Sequence, residues 1–147
     1  ARETTVIVNI TMPTLFTDPR SGGVKKSSGV NVLPIVAETW AQVRDNSNAD
    51  VDWLIASFDG NSKTNVTVVA SGSGGVEACA AALLENAACY GGLRLSSGRF
   101  VTFYYAPEGT PVMQRGRASM YKNGVLNVLE GSDREIDMKP GSTEDSI

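Results

Sequence analysis

Histidine is absent from this chain of 147 residues, and cysteine occurs only twice. The lack of histidine excludes histidine-based acid–base catalysis and histidine metal ligands. Cys79 and Cys89 are ten residues apart, a spacing that matches neither a redox motif nor a zinc site. We therefore expect two free thiols, with a disulfide between them as the alternative.

Positive charge and long hydrophobic segments are also scarce. The net charge is −3, so we expect neither nucleic acid nor an anionic membrane as a partner. No apolar run approaches the ~20 residues of a membrane span, and the first residues lack the features of a signal peptide. Hydrophobic residues make up 41% and charged residues 20% of the chain, which is typical of one globular domain. We expect a cytoplasmic protein.

The sequence offers no motif for catalysis or cofactor binding. Its carboxylates are scattered, and no pair has a spacing that favours acid–base chemistry. The glycine-rich stretch SGSGG (71–75) lies between a predicted strand and a predicted helix, where backbone amides can cradle a phosphate. It lacks the lysine of a P-loop and the spacing of a dinucleotide-binding motif, so we interpret it as a tight connection. We expect a protein that is not an enzyme and that holds no cofactor or metal.

Hydrophobic periodicity predicts an alternation of helices and hairpins. Residues 34–44 follow a helical period, and the buried stripe of that helix comprises Leu33, Val36, Trp40 and Val43. The other predicted elements are strands at 51–58 and 65–70, a helix at 76–87, strands at 88–95 and 99–106, a long helix at 111–131 and a strand at 134–138. This order predicts an α/β (α+β) fold, with a mixed sheet of about five strands flanked by helices.

The predicted long helix contains residues that usually lie at helix ends. Thr110 can cap it, Pro111 can occupy its first position and Gly131 can end it. Gly116 and Gly124 lie inside it, where each costs about 1 kcal/mol relative to alanine. We therefore expect a kink at these glycines or a close approach to another backbone.

The two ends of the chain differ from its centre. Residues 1–30 contain an apolar stretch, TTVIVNITM (4–12), that favours a strand, followed by a segment rich in Gly, Ser and Pro. We interpret residues 1–30 as an N-terminal extension or docking arm, with a disordered tail over 14–30 as the alternative. The last stretch, PGSTEDSI (140–147), begins like a helix and then stops. We therefore expect a domain at 31–147 whose final helix is truncated or absent.

A mixed basic and apolar patch is the candidate binding surface. Arg115 and Lys122 are seven residues apart on the predicted long helix and therefore share a face. Arg94 and Arg99 flank the tip of the second predicted hairpin and extend the patch. The candidate contact residues are Met113, Gln114, Arg115, Arg117, Lys122, Arg94 and Arg99. The alternative for each is an ordinary solvated residue.

Three stretches together resemble the actin-depolymerising-factor homology domain, and its coactosin-like branch in particular. APEGTPVMQRGRASMYK (106–122) resembles the strand end, turn and long actin-binding helix of that family. AETWAQVRDNSNADVDWLIASFDG (37–60) is similar to the first helix and strand of coactosins, and ASGSGGVEACAAALL (70–84) to the approach to their second helix. The resemblance covers residues 33–147.

The resemblance implies a cofilin-like fold and a cytoskeletal, actin-binding protein without catalytic activity. In this family the long helix, here 111–129, inserts between two subdomains of actin, and basic and apolar residues on its N-terminal half make the contact. Carried over by position, the implied contact residues are Met113, Arg115, Arg117 and Lys122 on the helix and Arg94 and Arg99 near the fourth and fifth strands. Filaments are the expected form of actin, in preference to actin monomers. As a free actin binder, the protein itself is expected to be monomeric.

Differences from the family favour a second hypothesis. Met113 stands where cofilin-like members have lysine, the SSG loop of the second hairpin is short, and residues 1–30 have no counterpart in the short family members. The domain would then be a structural subunit of a larger cytoskeletal assembly, such as that of a cilium or flagellum, with weak or no actin binding. Its N-terminal stretch would dock on neighbours by strand addition.

Overall fold

One mixed sheet runs through the part of the chain that the computed structural model describes, residues 29–147. Its strands are β1 (Asn31–Val32), β2 (Trp53–Phe58), β3 (Asn65–Gly72), β4 (Cys89–Arg94), β5 (Phe100–Tyr105) and β6 (Arg134–Ile136). The strands lie in the order β1-β3-β2-β4-β5-β6, with antiparallel pairs at the centre and a parallel pair at each side. The predicted mixed sheet is confirmed, and β1 is an additional strand. The predicted strand at 4–12 and most of the predicted extension lie outside the described residues.

Three helices cover this sheet. They are α1 (Pro34–Arg44), α2 (Gly75–Ala81) and α3 (Val112–Leu126), and a single 3₁₀ turn (Glu144–Ser146) follows β6. The bounds of α1 match the prediction, whereas α2 ends six residues early. After Ala81 the chain tightens into shorter-range hydrogen bonds, and Leu83 enters the core. No helix within 29–147 is long and apolar enough to cross a membrane.

The sheet separates two hydrophobic cores. Helices α1 and α3 pack on one face through residues such as Trp40, Val43 and Tyr121, whereas α2 packs on the other face through Val76 and Cys79. The predicted stripe of α1 is buried except for its first member, which precedes the helix and is only half-buried. Strands β2 and β4 are buried on both faces because they lie at the centre of the sheet.

The ends of α3 differ from the prediction. Its N-cap is Pro111, and the buried hydroxyl of Thr110 makes no hydrogen bond to any described residue, so Thr110 does not cap the helix. The helix ends at Leu126, before Gly131, which instead adopts a left-handed conformation (φ +89°) in the turn to β6. Helical structure is continuous from 112 to 126 through both internal glycines. A Cβ added at Gly116 would meet no atom within 4 Å, so the close approach expected there is not found within 29–147.

Two adjacent glycines in β4 let aromatic rings lie directly on the sheet backbone. A Cβ at Gly91 would collide with the Phe103 ring and would lie 2.6 Å from the carbonyl oxygen of Leu54. A Cβ at Gly92 would lie 2.5 Å from the Trp40 ring. Since real side chains do not approach so closely, both positions require glycine in this packing.

Strand β3, which lies next to the two-residue edge strand β1, contains a β-bulge. Its pairing with β2 shifts between Ile55 and Ala56, which face Ala70 and Val68, so Val69 has no partner in β2. The short β1 pairs with only the first two residues of β3. The outer side of β3 beyond Val66 therefore faces no other strand of the described chain.

Arg94 fastens the hairpin of β4 and β5 to the C-terminal end of α1. Its guanidinium donates hydrogen bonds to the carbonyl oxygens of Val43 (2.7 Å) and Asn48 (2.6 Å), and to that of Asp45. Val43 is in the last turn of α1, where carbonyl groups have no partner within the helix. Arg94 therefore has a structural role that its position next to a hairpin tip did not reveal.

Replacing Gly91 with alanine should destabilise the fold. The new Cβ has no space between the Phe103 ring and the backbone of β2, so we expect the free energy of unfolding to fall by ~1–3 kcal/mol. Gly116→Ala is the matched control, because open space surrounds it and alanine favours the helix, so it should gain up to ~1 kcal/mol. Urea denaturation measures both changes, and a Gly91→Ala variant as stable as the wild type would contradict this packing.

Replacing Arg94 with alanine should also destabilise the fold, since three carbonyl groups lose a charged donor. We expect a loss of about 2 kcal/mol in the free energy of unfolding. Arg99→Ala serves as the control, because Arg99 is exposed and its removal should change stability by less than ~0.5 kcal/mol. Equal stabilities of the two variants in thermal denaturation would rule out the clamp on α1.

Candidate functional site

The glycine-rich stretch 71–75 forms a tight connection, as predicted. The carboxylate of Asp52 accepts hydrogen bonds from the backbone amides of Gly74 (3.3 Å) and Gly75 (3.1 Å). Both glycines have positive φ angles of +108° and +72°, a conformation that favours glycine. The amides at the start of α2 are thus satisfied by the chain's own carboxylate, and this removes the basis for a phosphate cradle.

The buried cysteines do not form a nucleophilic site. Cys79 and Cys89 are free thiols in the core beneath α2. Burial raises the pKa of Cys89 to about 11 and raises that of Cys79 further. The thiolate is the reactive form of cysteine, so both groups are inert near neutral pH. Within residues 29–147, no group of three or more His, Cys, Asp or Glu side chains is placed to hold a metal ion.

Two hydrogen bonds attach α3 to the centre of the sheet. The buried hydroxyl of Tyr90 donates to the carbonyl oxygen of Ala118 (2.7 Å). The side-chain oxygen of Gln114 accepts from the backbone amide of Ala88 (2.9 Å), immediately before β4. Gln114, one of the candidate contact residues, therefore faces the sheet and helps to fix the rotation of α3.

Arg115 and Lys122 fix one side of α3 to the neighbouring strands. Arg115 donates to the carbonyl oxygens of Ala106 (3.0 Å) and Pro107 (2.5 Å), in the turn between β5 and α3. Lys122 forms an ion pair with Glu135 of β6, with 2.8 Å between its Nζ and the carboxylate.

Both cations lie on the Tyr104 side of α3, as their spacing predicted. The Nζ of Lys122 is 5.7 Å from the centre of the Tyr104 ring. Burial raises the pKa of Tyr104, and the positive charges of Arg115 and Lys122 partly oppose that shift. Arg115 and Lys122 are both half-exposed, so each also contributes positive charge to the surface.

The outward side of α3 presents apolar side chains to solvent. The exposed fractions are 82% for Val112, 74% for Met113 and 60% for Met120, and these are three of the five large hydrophobic residues exposed in residues 29–147. We call this surface, together with Gly116 and Arg117, the α3 face. Arg117 is half-buried, and its Nε atom is buried without a hydrogen-bond partner among the described residues.

Clustered apolar exposure of this kind is a feature of interaction surfaces, whereas scattered exposed apolar residues need no explanation. Met113 and Arg117 are among the contact residues predicted from the sequence, whereas Val112 and Met120 are not. The helical period contained the missing signal, because the buried side of α3 is defined by Ala118, Tyr121 and Val125. Residues 112 and 120 fall outside that buried stripe.

A groove with a volume of about 790 Å³ runs beside α3. Its walls are the end of β5, the first half of α3 and the segment that follows β6. The lining residues are Tyr104, Tyr105, Ala106, Val112, Arg115, Gly116, Ser119, Asp137, Met138 and Lys139. The groove joins the α3 face, because Val112 and Gly116 belong to both.

The two hairpin arginines lie away from the α3 face. Arg94 is turned toward α1, as described above. Arg99 is exposed immediately before β5, whereas α3 begins after the other end of that strand. Six strand residues separate the two places, which corresponds to roughly 20 Å. The structure therefore divides the α3 candidates among different sides of the helix. Met113 and Arg117 lie on the α3 face, whereas Gln114, Arg115 and Lys122 contact neighbouring strands and turns. The hairpin pair lies apart from all of them.

Comparison with known proteins assigns this arrangement to a family. The model of the family described as "Cofilin/tropomyosin-type actin-binding protein" matches residues 29–144. A search among curated protein sequences finds no match.

Solved structures show the same fold. The crystal structure of coactosin from Entamoeba histolytica has 26% sequence identity and a TM-score of 0.67, covering 82% of this chain and 88% of that one. The corresponding values for Streptomyces griseoflavus cofilin are 19% and 0.64, over 76% and 86% of the two chains. Those for the NMR structure of human coactosin-like protein are 16% and 0.61, over 75% and 78%. This chain therefore belongs to the actin-depolymerising-factor homology family of actin-binding proteins, on its coactosin-like branch.

Proposed function

We propose that this protein is a non-catalytic, cytoplasmic component of the cytoskeleton that binds actin filaments through the α3 face. The observation that carries the proposal is the exposure of Val112, Met113 and Met120 on a helix that is firmly attached to the sheet. The preference for filaments over monomers rests on the sequence resemblance to coactosins.

The α3 face has the properties of a rigid contact surface. Full burial of an apolar side chain of this size is worth about 1.5–3 kcal/mol, and three such side chains are exposed along the first nine residues of α3. Gln114 and Tyr90 hold the helix in place before any partner arrives. A preformed surface loses little conformational entropy on binding, so more of the burial energy becomes affinity.

Charge adds a second contribution at the border of this surface. Arg117 lies one helical turn from Met113 and one from Met120, and its side chain is partly exposed. We propose that Arg117 donates to an acidic group of actin and that Arg115 and Lys122 add long-range attraction. Long-range attraction between exposed charges weakens with salt, so binding should be stronger at low than at physiological ionic strength.

Charge reversal at Arg117 should weaken binding to filaments. We expect Arg117→Glu to lower the affinity for actin filaments at least tenfold, because it replaces attraction by repulsion at the border of the α3 face. Met113→Ala should lower the affinity for filaments several-fold, because apolar contact area is lost. Co-sedimentation at low and physiological salt measures both effects.

Two further charge reversals make the experiment specific to α3. Lys63→Glu changes an exposed lysine in the turn between β2 and β3 and should leave binding unchanged. Arg99→Glu tests the hairpin and should also have no effect, since Arg99 lies at the far end of β5. Wild-type pelleting by Arg117→Glu would contradict a contact through α3. The absence of wild-type pelleting at either salt would contradict filament binding, and it is the result that the structural-subunit hypothesis predicts.

A further inference from the structure

Gly116 occupies an interior position of α3 for which the described chain provides no reason. Glycine is, after proline, the least favourable residue inside a helix. A Cβ at this position would meet no atom within 4 Å. The position is exposed and its φ angle is not positive, so neither packing nor backbone conformation requires glycine there.

Other glycines of the fold differ from Gly116 in this respect. Gly91 and Gly92 lie under aromatic rings, and Gly109 would bring a Cβ to 2.8 Å from the carbonyl oxygen of Glu85. Gly116 combines a helical backbone with open surroundings. The cause of its small size is therefore to be sought outside the described chain.

The location of Gly116 indicates what approaches it. It lies one turn from Val112 and one turn from Met120, in the middle of the α3 face, and it also forms part of the groove wall. The missing side chain leaves the helix backbone uncovered between two exposed apolar residues. The small side chain of Ser119 continues this opening along the groove.

The chemistry of the groove restricts the group that can enter. Its apolar lining residues include Tyr104, Tyr105, Val112 and Met138. Its charged lining residues are Arg115, Lys139 and Asp137, which gives one net positive charge. An apolar side chain beside a carboxylate matches this lining better than a basic or uncharged polar segment does.

We propose that Gly116 is a recognition gap: a protruding apolar side chain of the actin filament, next to an acidic group, enters the groove and packs against the backbone of α3 at Gly116. This inference rests on the proposed function and adds the residue that determines the fit. Any side chain at position 116 would fill the gap and hold the filament away from the helix. Glycine is unfavourable inside a helix, but it is retained at position 116 because the contact requires a residue without a side chain.

Two substitutions of increasing size test the gap. Gly116→Ala should raise the melting temperature, because alanine favours the helix and has free space. The affinity of this variant for filaments in co-sedimentation should nevertheless fall about tenfold. Gly116→Leu should lower the affinity further, because a larger side chain fills more of the space that the partner would occupy. Ala41→Leu is the matched control, because Ala41 is an exposed position of α1 and the same bulk there should leave binding unchanged.

The results separate this inference from the proposed function. Wild-type affinity in both Gly116 variants, with the wild type pelleting normally, would overturn the recognition gap and leave filament binding intact. A lower melting temperature for Gly116→Ala would also overturn it, because the glycine would then serve the fold. If the wild type itself does not pellet, filament binding and the gap both fail. Increased stability together with reduced binding in the alanine variant would establish the gap.

Discussion

The close contact between two aromatic rings and the backbone of β4 determines the arrangement of both layers. Phe103 lies on Gly91 on one face of the sheet, and Trp40 lies on Gly92 on the other. Trp40 in turn donates a hydrogen bond from its Nε1 to the carbonyl oxygen of Glu130 (2.8 Å), which follows α3. The two glycines at the centre of β4 therefore set the distance of α1 from the sheet. Through Trp40 they also influence the path of the chain after α3.

Polar side chains attach α3 to the rest of the domain, whereas several of its apolar side chains are exposed to solvent. Gln114, Arg115 and Lys122 are drawn to carbonyl, amide and carboxylate groups of neighbouring strands, because unpaired polar groups near a packed sheet are costly. Val112 and Met120 have no such partners and remain outside. The usual distribution of polarity is thus partly inverted on this helix, and its outward side is more apolar than that of an ordinary solvated helix.

Local patterns were sufficient for most elements and insufficient for side-chain roles. The bounds of α1 and the two hairpins follow from hydrophobic period and turn residues, whereas β1 has two residues and no period to detect. Gln114 binds a residue 26 positions away, and Arg94 binds one 46 positions away. Such long-range partners depend on the tertiary arrangement, so the sequence could place these side chains on a helix and a hairpin but could not show that they face inward.

The bulge at Val69 has a consequence for how copies of this protein behave when they meet at high concentration. Regularly spaced amide and carbonyl groups on an edge strand can recruit the same edge of another molecule and start a continuous sheet. The extra residue interrupts that spacing midway along the longest strand of the sheet, and it increases the local twist. At high concentration, the bulge therefore disfavours edge-to-edge joining of copies into a continuous sheet.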